Sequence, residues 1–549
     1  MKTMNFVQTI DRRELVRFTG SVYTPASVAE ALTEFVATIL PPNAIRALEP
    51  SVGDGAFVDA LEAVLPSLFL TAIDIDEQVI EQLEIRDRLD SNRRNYRAGD
   101  FLGFAREEIA RSVNYDLIIG NPPFIRKHNF SEEFKLSLEE LAKVIDYPKS
   151  NFKNSWAAFV IAAAMMLNQT GVLAFILPYE MMTVSYGQAV LQWLSSKLAR
   201  IDLFISNEKA FPEIDQDAII FVGRSSAAEP GQFVQRVRSM TSLLERRETR
   251  LDLASAKNLA LELSSFLITG DALATANELR AKMPIVGDHC TSAPGIVTAA
   301  NDYFILTEDE ANELGILEHT LPILKKGSLS ARQPIFEASD FEKLANREPC
   351  RLVFMSVPVE ELPEKLRKYV ITGEERGYNK RYKCRNRDLW YRVPLVPKAP
   401  AFVFKRSHEY PRLCLNEADV YITDTAYGLR MKDGFTDRGL CFSFYNSMTL
   451  LFAETDGRFY GGGVLELSPK EFRGLPLAYH EPSDQEFDDF LAVHRKADGD
   501  VSAILDFGDR WLAKKLRLSS RELRNLRTAW QSVRAHRLRH GRSGQPDGQ

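Results

Sequence analysis

The stretch from Tyr115 to Phe124, YDLIIGNPPF, runs an apolar strand into Gly120 and then breaks on Asn121, Pro122, Pro123 and Phe124. Proline cannot donate to a sheet ladder, so two in a row force the chain out of the sheet at a fixed point. What they leave at the strand end is a carboxamide, carbonyls with no competing N–H beside them, and an aromatic face. Such a set can accept hydrogen bonds from a flat polar group and stack on it. A rigid turn after a buried strand is the plainer reading of four residues, so the rest of the chain has to decide.

A second polar signal is the turn EPSVGDGAF, Glu49 to Phe57, where Gly53 and Gly55 let backbone approach a ligand with a helix start behind them. Glu49 and Ser51 belong to the same turn. The dinucleotide fingerprint G-x-G-x-x-G is not completed, because Val58 stands at its third position. Asp74, ending the next strand, is placed to accept from two ribose hydroxyls, and Asp100, followed by Phe101, from an exocyclic adenine amine. Helix capping is the competing role for any such aspartate, and Asp76 reads as the cap of a helix opening at Glu77.

These signals need elements to position them. From about residue 18 to 223, short apolar runs alternate with helical periodicity. Strands are predicted at IRALEP, LFLTAIDID, the segment ending at Gly99-Asp100, YDLIIG, GVLAFILP, ARIDLFIS and finally QDAIIFVG. Val28, Leu32, Phe35, Val36 and Ile39 share one helical face, after Thr24 as N-cap and Pro25 at the first helical position. Such alternation predicts an α/β fold, a Rossmann-like, doubly wound and mainly parallel sheet. Ligands in these sheets sit outside the carboxyl ends of the strands, and every polar signal above falls at one.

The polar stretch RSSAAEPGQ, Arg224 to Gln232, reads as a linker. The domains expected are therefore 1–230, the doubly wound sheet; 231–482, a mixed α+β domain; and 483–549, a helical segment ending in a disordered basic tail. With 549 residues, 45% apolar, 26% charged and a net charge of −6, the chain suits a soluble protein of two to four domains. Five scattered cysteines without a C-x-x-C spacing indicate neither disulfides nor a metal site. No run of eighteen apolar residues occurs and the start is charged, so a cytoplasmic chain without a membrane partner is expected.

Between Arg376 and Arg412 stand eleven Lys and Arg against Asp388 and Glu409, interleaved with aromatic rings. Cations on phosphates and rings for stacking suit a DNA groove, with Arg381, Lys383, Arg385, Arg387, Trp390, Tyr391, Lys405 and Arg406 as the contact set. The alternative is a solvated face over a β-core whose rings point inward.

Six pieces, FTGSVYTP (18–25), LEPSVGDGAF (48–57), AIDID (72–76), GDFL (99–102), GNPPF (120–124) and FPEIDQDAIIFVG (211–223), resemble a known family in their order and spacing. It is the S-adenosylmethionine-dependent DNA amino methyltransferases acting on adenine, in the class with the cofactor motif first and target recognition last. RDLWYRVP, NEADVYITDTAYGLRMK and YGGGVLELSPKEFRGLPL are similar to its recognition segments. Phe124 stands where tyrosine is commoner in the family, and a phenyl ring keeps the stacking face.

The resemblance implies S-adenosyl-L-methionine as cofactor, double-stranded DNA as partner, and a modification role in restriction–modification or phage defence. It places Tyr23 and Thr24 against the methionine part of the cofactor, among Glu49, Ser51, Gly53, Gly55, Asp74, Asp100 and Phe101. Asn121 and Pro122 would then accept the two N–H groups of the adenine amine, Pro123 would stiffen the loop, and Phe124 would stack on a base flipped out of the duplex. No nuclease domain is apparent, so cleavage would require a separate restriction endonuclease. Two other readings stay open, an RNA or protein-glutamine methyltransferase, which shares N-P-P-[YF], and a catalytically inactive DNA-binding specificity protein.

Overall fold

In the computed structural model, which describes residues 23–87, 93–145, 147–209, 217–256, 258–327, 333–460 and 462–539, the predicted strands lie in one sheet. They are β1 (Arg46–Glu49), β2 (Phe69–Asp74), β3 (Arg94–Ala98), β4 (Tyr115–Gly120), β5 (Leu167–Pro178), β6 (Arg200–Ser206) and β7 (Ala218–Arg224), joined by β8 (Gly231–Val237) and β9 (Arg247–Leu251). Among the described residues the order is β3-β2-β1-β4-β5-β7-β6-β8-β9. Strands β1 to β5 pair in parallel, and β7 enters antiparallel between β5 and β6. The order reverses between β1 and β4, so the switch point lies at the ends carrying Glu49 and Asn121.

The sheet does not stop at β7. β8 pairs in parallel with β6, and β9 runs antiparallel to β8, so the stretch RSSAAEPGQ turns the chain within one sheet and links no domains. The boundary expected at residue 230 moves accordingly, since the first compact unit runs to Phe266 and the second takes up at Leu267. Polar residues with Pro and Gly mark any surface reversal of the chain, whatever it joins.

Helices flank the sheet: α1 (Ala26–Ala37), α2 (Ala56–Val64), α3 (Glu77–Asp87), α4 (Phe101–Ala110), α5 (Glu132–Leu141), α6 (Ser155–Met165), α7 (Glu180–Thr183) and α8 (Ser185–Ser195). Val28, Leu32, Phe35 and Val36 of α1 share a core with Leu117 and Ile119 of β4 and with Val172, Ala174 and Ile176 of β5. The strand period of two and the helix period of 3.6 thus meet on one face. Burying each such side chain contributes roughly 1.5–3 kcal/mol, which fixes β4 in depth and register and with it the loop that follows. α6 is buried from Ser155 to Ala163 on every side, which explains its lack of a polar face.

At the start of α1 the structure corrects the expected cap. The helix begins at Ala26, Pro25 occupies the N-cap position, and no side chain caps it. The Pro25 carbonyl takes Val28 N–H at 2.9 Å, leaving the Thr24 hydroxyl for another task.

The second unit is mixed α+β, around a five-stranded sheet of Cys290–Pro294, Ala426–Met431, Ala401–Phe404, Leu413–Asn416 and Ile335–Phe336. Helices Asp484–Ala497, Val501–Leu516 and Ser520–Leu538 belong to it and form no separate segment. The buried carboxylate of Asp509 accepts from Ser447 Oγ at 2.6 Å and from Arg527 Nη2 at 2.8 Å, and the Arg537 guanidinium pairs with Glu454 at 2.7 Å with both side chains fully enclosed. The expected tail is helical through Leu538, and residues 540–549 lie outside the described residues. Among the described residues no helix is long and apolar enough to cross a membrane. All five cysteines are free and buried.

Candidate active site

The turn after β1 is held by the ends of two neighbouring strands. Gly53 N–H donates to Asp74 Oδ2 at 2.9 Å, Val52 N–H to the Ile73 carbonyl at 2.9 Å, and Gly99 N–H, past β3, to the Asp74 carbonyl at 2.8 Å. Gly53 and Gly55 adopt φ of 54° and 87°, where a side chain is strained. A Cβ at Gly55 would lie 2.9 Å from Leu83 Cδ2 of α3, so only glycine brings the turn this close. The Tyr23 ring, half exposed, lies over Gly53, whose built Cβ would sit 3.7 Å from it.

The loop after β4 meets this turn. A Cβ at Gly120 would come within 3.3 Å of Pro50 Cδ and 3.7 Å of Glu49 Cγ, so glycine again allows the approach. Ser51 Oγ donates to the Asn121 carbonyl at 3.1 Å, and Asn121 Nδ2 donates to Thr24 Oγ1 at 3.2 Å. Tyr23, Thr24, Glu49, Ser51, Gly53 and Asn121 are therefore one cluster. Pro122 is buried, while Asn121, Pro123 and Phe124 stay partly open.

Asp74 has both oxygens engaged, Oδ2 by Gly53 and Oδ1 by Asp76 N–H at 3.0 Å, yet each keeps a second lone pair. Asp100 is the N-cap of α4, accepting from Leu102 N–H at 3.3 Å and Gly103 N–H at 3.0 Å, so the capping role is real here. Asp76 caps α3 through Gln78 N–H at 2.9 Å. Phe101 is buried against Phe159 of α6, with ring centroids 4.7 Å apart. Glu49 is the electrostatic oddity, 1% exposed, with Oε2 lacking any hydrogen-bond partner. Burial first, then Asp74, Asp54 and Asp59, hold its carboxyl well above the usual range.

Glycine cradles, an orphaned buried carboxyl oxygen and a carboxylate at the next strand end fit a small ligand carrying both an amine and vicinal hydroxyls. Among the described residues no cluster of three or more His, Cys, Asp or Glu could hold a metal.

Residues 60–211 match the Eco57I restriction-modification methylase model, and residues 262–513 match the C-terminal domain of the type II methyltransferase M.Eco57I. Both parts of the chain thus match restriction-modification methylases of the Eco57I type. The chain is 23% identical over 493 residues to the type II methyltransferase M.AccI of Acinetobacter calcoaceticus, covering 86% of this chain and 88% of that one. It is also 23% identical over 470 residues to M.XamI of Xanthomonas campestris pv. amaranthicola, covering 83% and 85%. The fold is shared with the cryo-EM structure of the DrdV–DNA complex, at a TM-score of 0.51 and 11% identity over 88% of this chain and 58% of that one. S-adenosyl-L-methionine is the cofactor expected of such a methylase.

In the second unit most of the sequence-predicted DNA contacts are already engaged within the protein. Trp390 packs on Tyr303 at 5.5 Å between ring centroids, Tyr391 is buried, and Phe402 and Phe404 line the sheet core. Arg387 donates to the Val297 and Thr298 carbonyls at 3.0 and 2.8 Å, and burial pushes its pKa down. Arg381 forms a two-bond pair with Asp302 at 2.8 and 2.9 Å, and Lys405 and Arg406 face Glu466 at 3.6 and 2.6 Å. Lys383 and Arg385 are exposed and have no ion pair among the described residues, and Tyr382 beside them is 70% exposed. For most of the rings, the inward-pointing alternative is the one the fold adopts.

The sequence reading missed Ser155, whose hydroxyl accepts Ile125 N–H at 2.8 Å directly behind the loop. A serine opening an apolar helix gives no sign of a partner 30 residues earlier. The match FPEIDQ (211–216) lies outside the described residues.

Proposed function

We propose that the chain transfers a methyl group from S-adenosyl-L-methionine to the N6 amine of adenine in double-stranded DNA, as the modification component of a restriction–modification or phage-defence system. The observation that carries this reading is the junction of the N-P-P-F loop with the glycine turn, through Ser51 and Asn121 on one side and Thr24 on the other. The first unit is then the methyltransferase domain and the second the target-recognition domain.

An exocyclic amine is a poor nucleophile because its lone pair is delocalised into the purine ring. The cofactor, when bound, supplies a methyl group on a sulfonium. The chain supplies two acceptors, the Asn121 Oδ1 and the Pro122 carbonyl, one for each N–H of the amine. Accepting both turns the lone pair toward the methyl and stabilises the positive charge growing on nitrogen, with no strong base required beforehand. The Thr24 contact to Nδ2 orients the amide, and the two proline rings fix the carbonyl direction, so the acceptors are placed in advance. Phe124 stacks on the base, worth roughly 1–3 kcal/mol against the few kcal/mol that extrusion costs. Around the cofactor, Asp74 would take the ribose hydroxyls, Glu49 the ammonium, and Asp100 with Phe101 the adenine.

Lys383 and Arg385 are available for phosphates. Arg381 is too, because an exposed ion pair contributes only about 0–1 kcal/mol and exchanges readily for a phosphate. DNA is also the partner named for the related DrdV complex.

The test is methylation mapping of DNA from cells expressing the chain or its Asn121→Ala variant. A modified adenine in a fixed sequence context with the first and none with the second is expected, while cofactor affinity of the variant stays within a few-fold. A wild-type chain that methylates cytosine, RNA or protein alone overturns the assignment.

A further inference from the structure

Ser155 is fully buried at the first position of α6, and its hydroxyl touches both peptide groups flanking Phe124. Oγ accepts Ile125 N–H at 2.8 Å and donates to the Pro123 carbonyl, while Ser155 N–H donates to the Ile125 carbonyl at 2.8 Å. The Pro123 carbonyl belongs to the peptide plane before the Phe124 Cα, and Ile125 N–H to the plane after it. Holding two adjacent planes holds the φ and ψ between them.

The proline rings cannot do this. They lock φ at positions 122 and 123, and the lock ends one residue before the aromatic ring. Ser155 is itself braced. Asn154 Nδ2 donates to Glu180 Oε1 at 3.1 Å, Tyr186 OH donates to the same oxygen at 2.6 Å, and Lys127 N–H donates to the Lys153 carbonyl at 2.9 Å. The start of α6 is thus tied to Glu180 at the start of α7, outside the loop that Ser155 supports.

We propose that Ser155 is a positioning residue for the transfer reaction, acting through Phe124 by fixing the backbone from which the stacking ring leaves. This rests on the methyl-transfer reading above. Its mark is that the hydroxyl matters only while the ring is present, so removing both should cost no more than removing the ring.

The experiment is a double-mutant cycle on the full chain with tritiated cofactor and DNA from a methylation-deficient host. Ser155→Ala should lower kcat roughly 10- to 100-fold, the scale of a misplaced reacting group, with the cofactor Kd unchanged. In a Phe124→Ala background the same change should have little further effect, and Ser155→Thr, which keeps the hydroxyl, should restore most of the rate. Additive losses in the cycle overturn the proposal. So does a cofactor Kd that weakens in step with kcat, or a threonine variant with a wild-type cofactor Kd that is no faster than alanine. A wild-type chain that places no label in DNA overturns the methylation reading itself, and this inference with it.

Discussion

The side-chain amide of Asn121 donates to the Thr24 hydroxyl at 3.2 Å, linking the loop after β4 to the residue before the Pro25 cap of α1. Thr24 is 97 positions earlier in the chain and caps no helix, so its hydroxyl is left to hold the amide. With Nδ2 held by Thr24, the amide plane is fixed, and with it Oδ1, the acceptor that the proposed transfer uses.

Thr24→Val keeps the shape and removes that acceptor. A neutral hydrogen bond contributes about 0.5–1.5 kcal/mol, so methyl transfer should slow roughly 3- to 10-fold while the melting temperature barely moves. Steady-state label incorporation measures it. An unchanged kcat would show that the amide needs no such hold.

Asp74 carries two loads. It fixes the glycine turn through Gly53, and in the proposed function it also takes the ribose hydroxyls. Asp74→Ala should therefore weaken cofactor binding by at least 10-fold in calorimetry, since hydrogen bonds to a charged acceptor contribute about 1.5–3 kcal/mol each. An unchanged dissociation constant removes Asp74 from the ribose role.

Much of this was legible before any coordinates. Strand ends are punctuated by glycine, aspartate and proline for geometric reasons, so the turn at Gly53, the ends at Asp74 and Asp100, and the loop at Asn121 could each be placed from local pattern. Their convergence follows from the doubly wound order, which the alternation of elements implies. Partners distant in sequence left no local trace. Ser155 holds Ile125 across 30 residues, and β8 joins the sheet beside β6 after a turn that reads as a linker. The basic region was legible only in part for a related reason, because a charge run records composition and says nothing of which cations are consumed internally, as Arg387 is by two backbone carbonyls.

Glu49 gives the site a pH signature. Its ordinary value is 4.5, and burial with three aspartates nearby raises it in the folded chain against a smaller opposing pull from Arg86. The folded state then holds a proton that the unfolded state has released. That contribution to stability is complete below the unfolded value and is lost as pH rises through the folded one. Without cofactor, Glu49→Gln should melt higher than wild type at pH 8, with the gap closing toward pH 5. An ammonium beside Glu49 would favour the ionised form, so calorimetry in two buffers of different protonation enthalpy should detect proton release on cofactor binding in the wild type and none in the variant. Parallel melting curves across the range would deny the carboxyl this role.

The cations of the second unit divide by what they already hold. Lys383 and Arg385 are exposed with no ion pair among the described residues, whereas Arg387 donates to the carbonyls of Val297 and Thr298. Each phosphate contact contributes about one to the slope of log affinity against log salt. The double change Lys383→Glu, Arg385→Glu should weaken DNA binding across all sequences and reduce that slope by about 2, measured by fluorescence anisotropy on a duplex. Arg387→Ala should instead lower the melting temperature, because two carbonyls lose their partner at about 1–3 kcal/mol each, and leave the slope alone. If the slope follows Arg387 and ignores the exposed pair, the DNA surface lies elsewhere than at Lys383 and Arg385, and the half-buried guanidinium must be released when DNA binds.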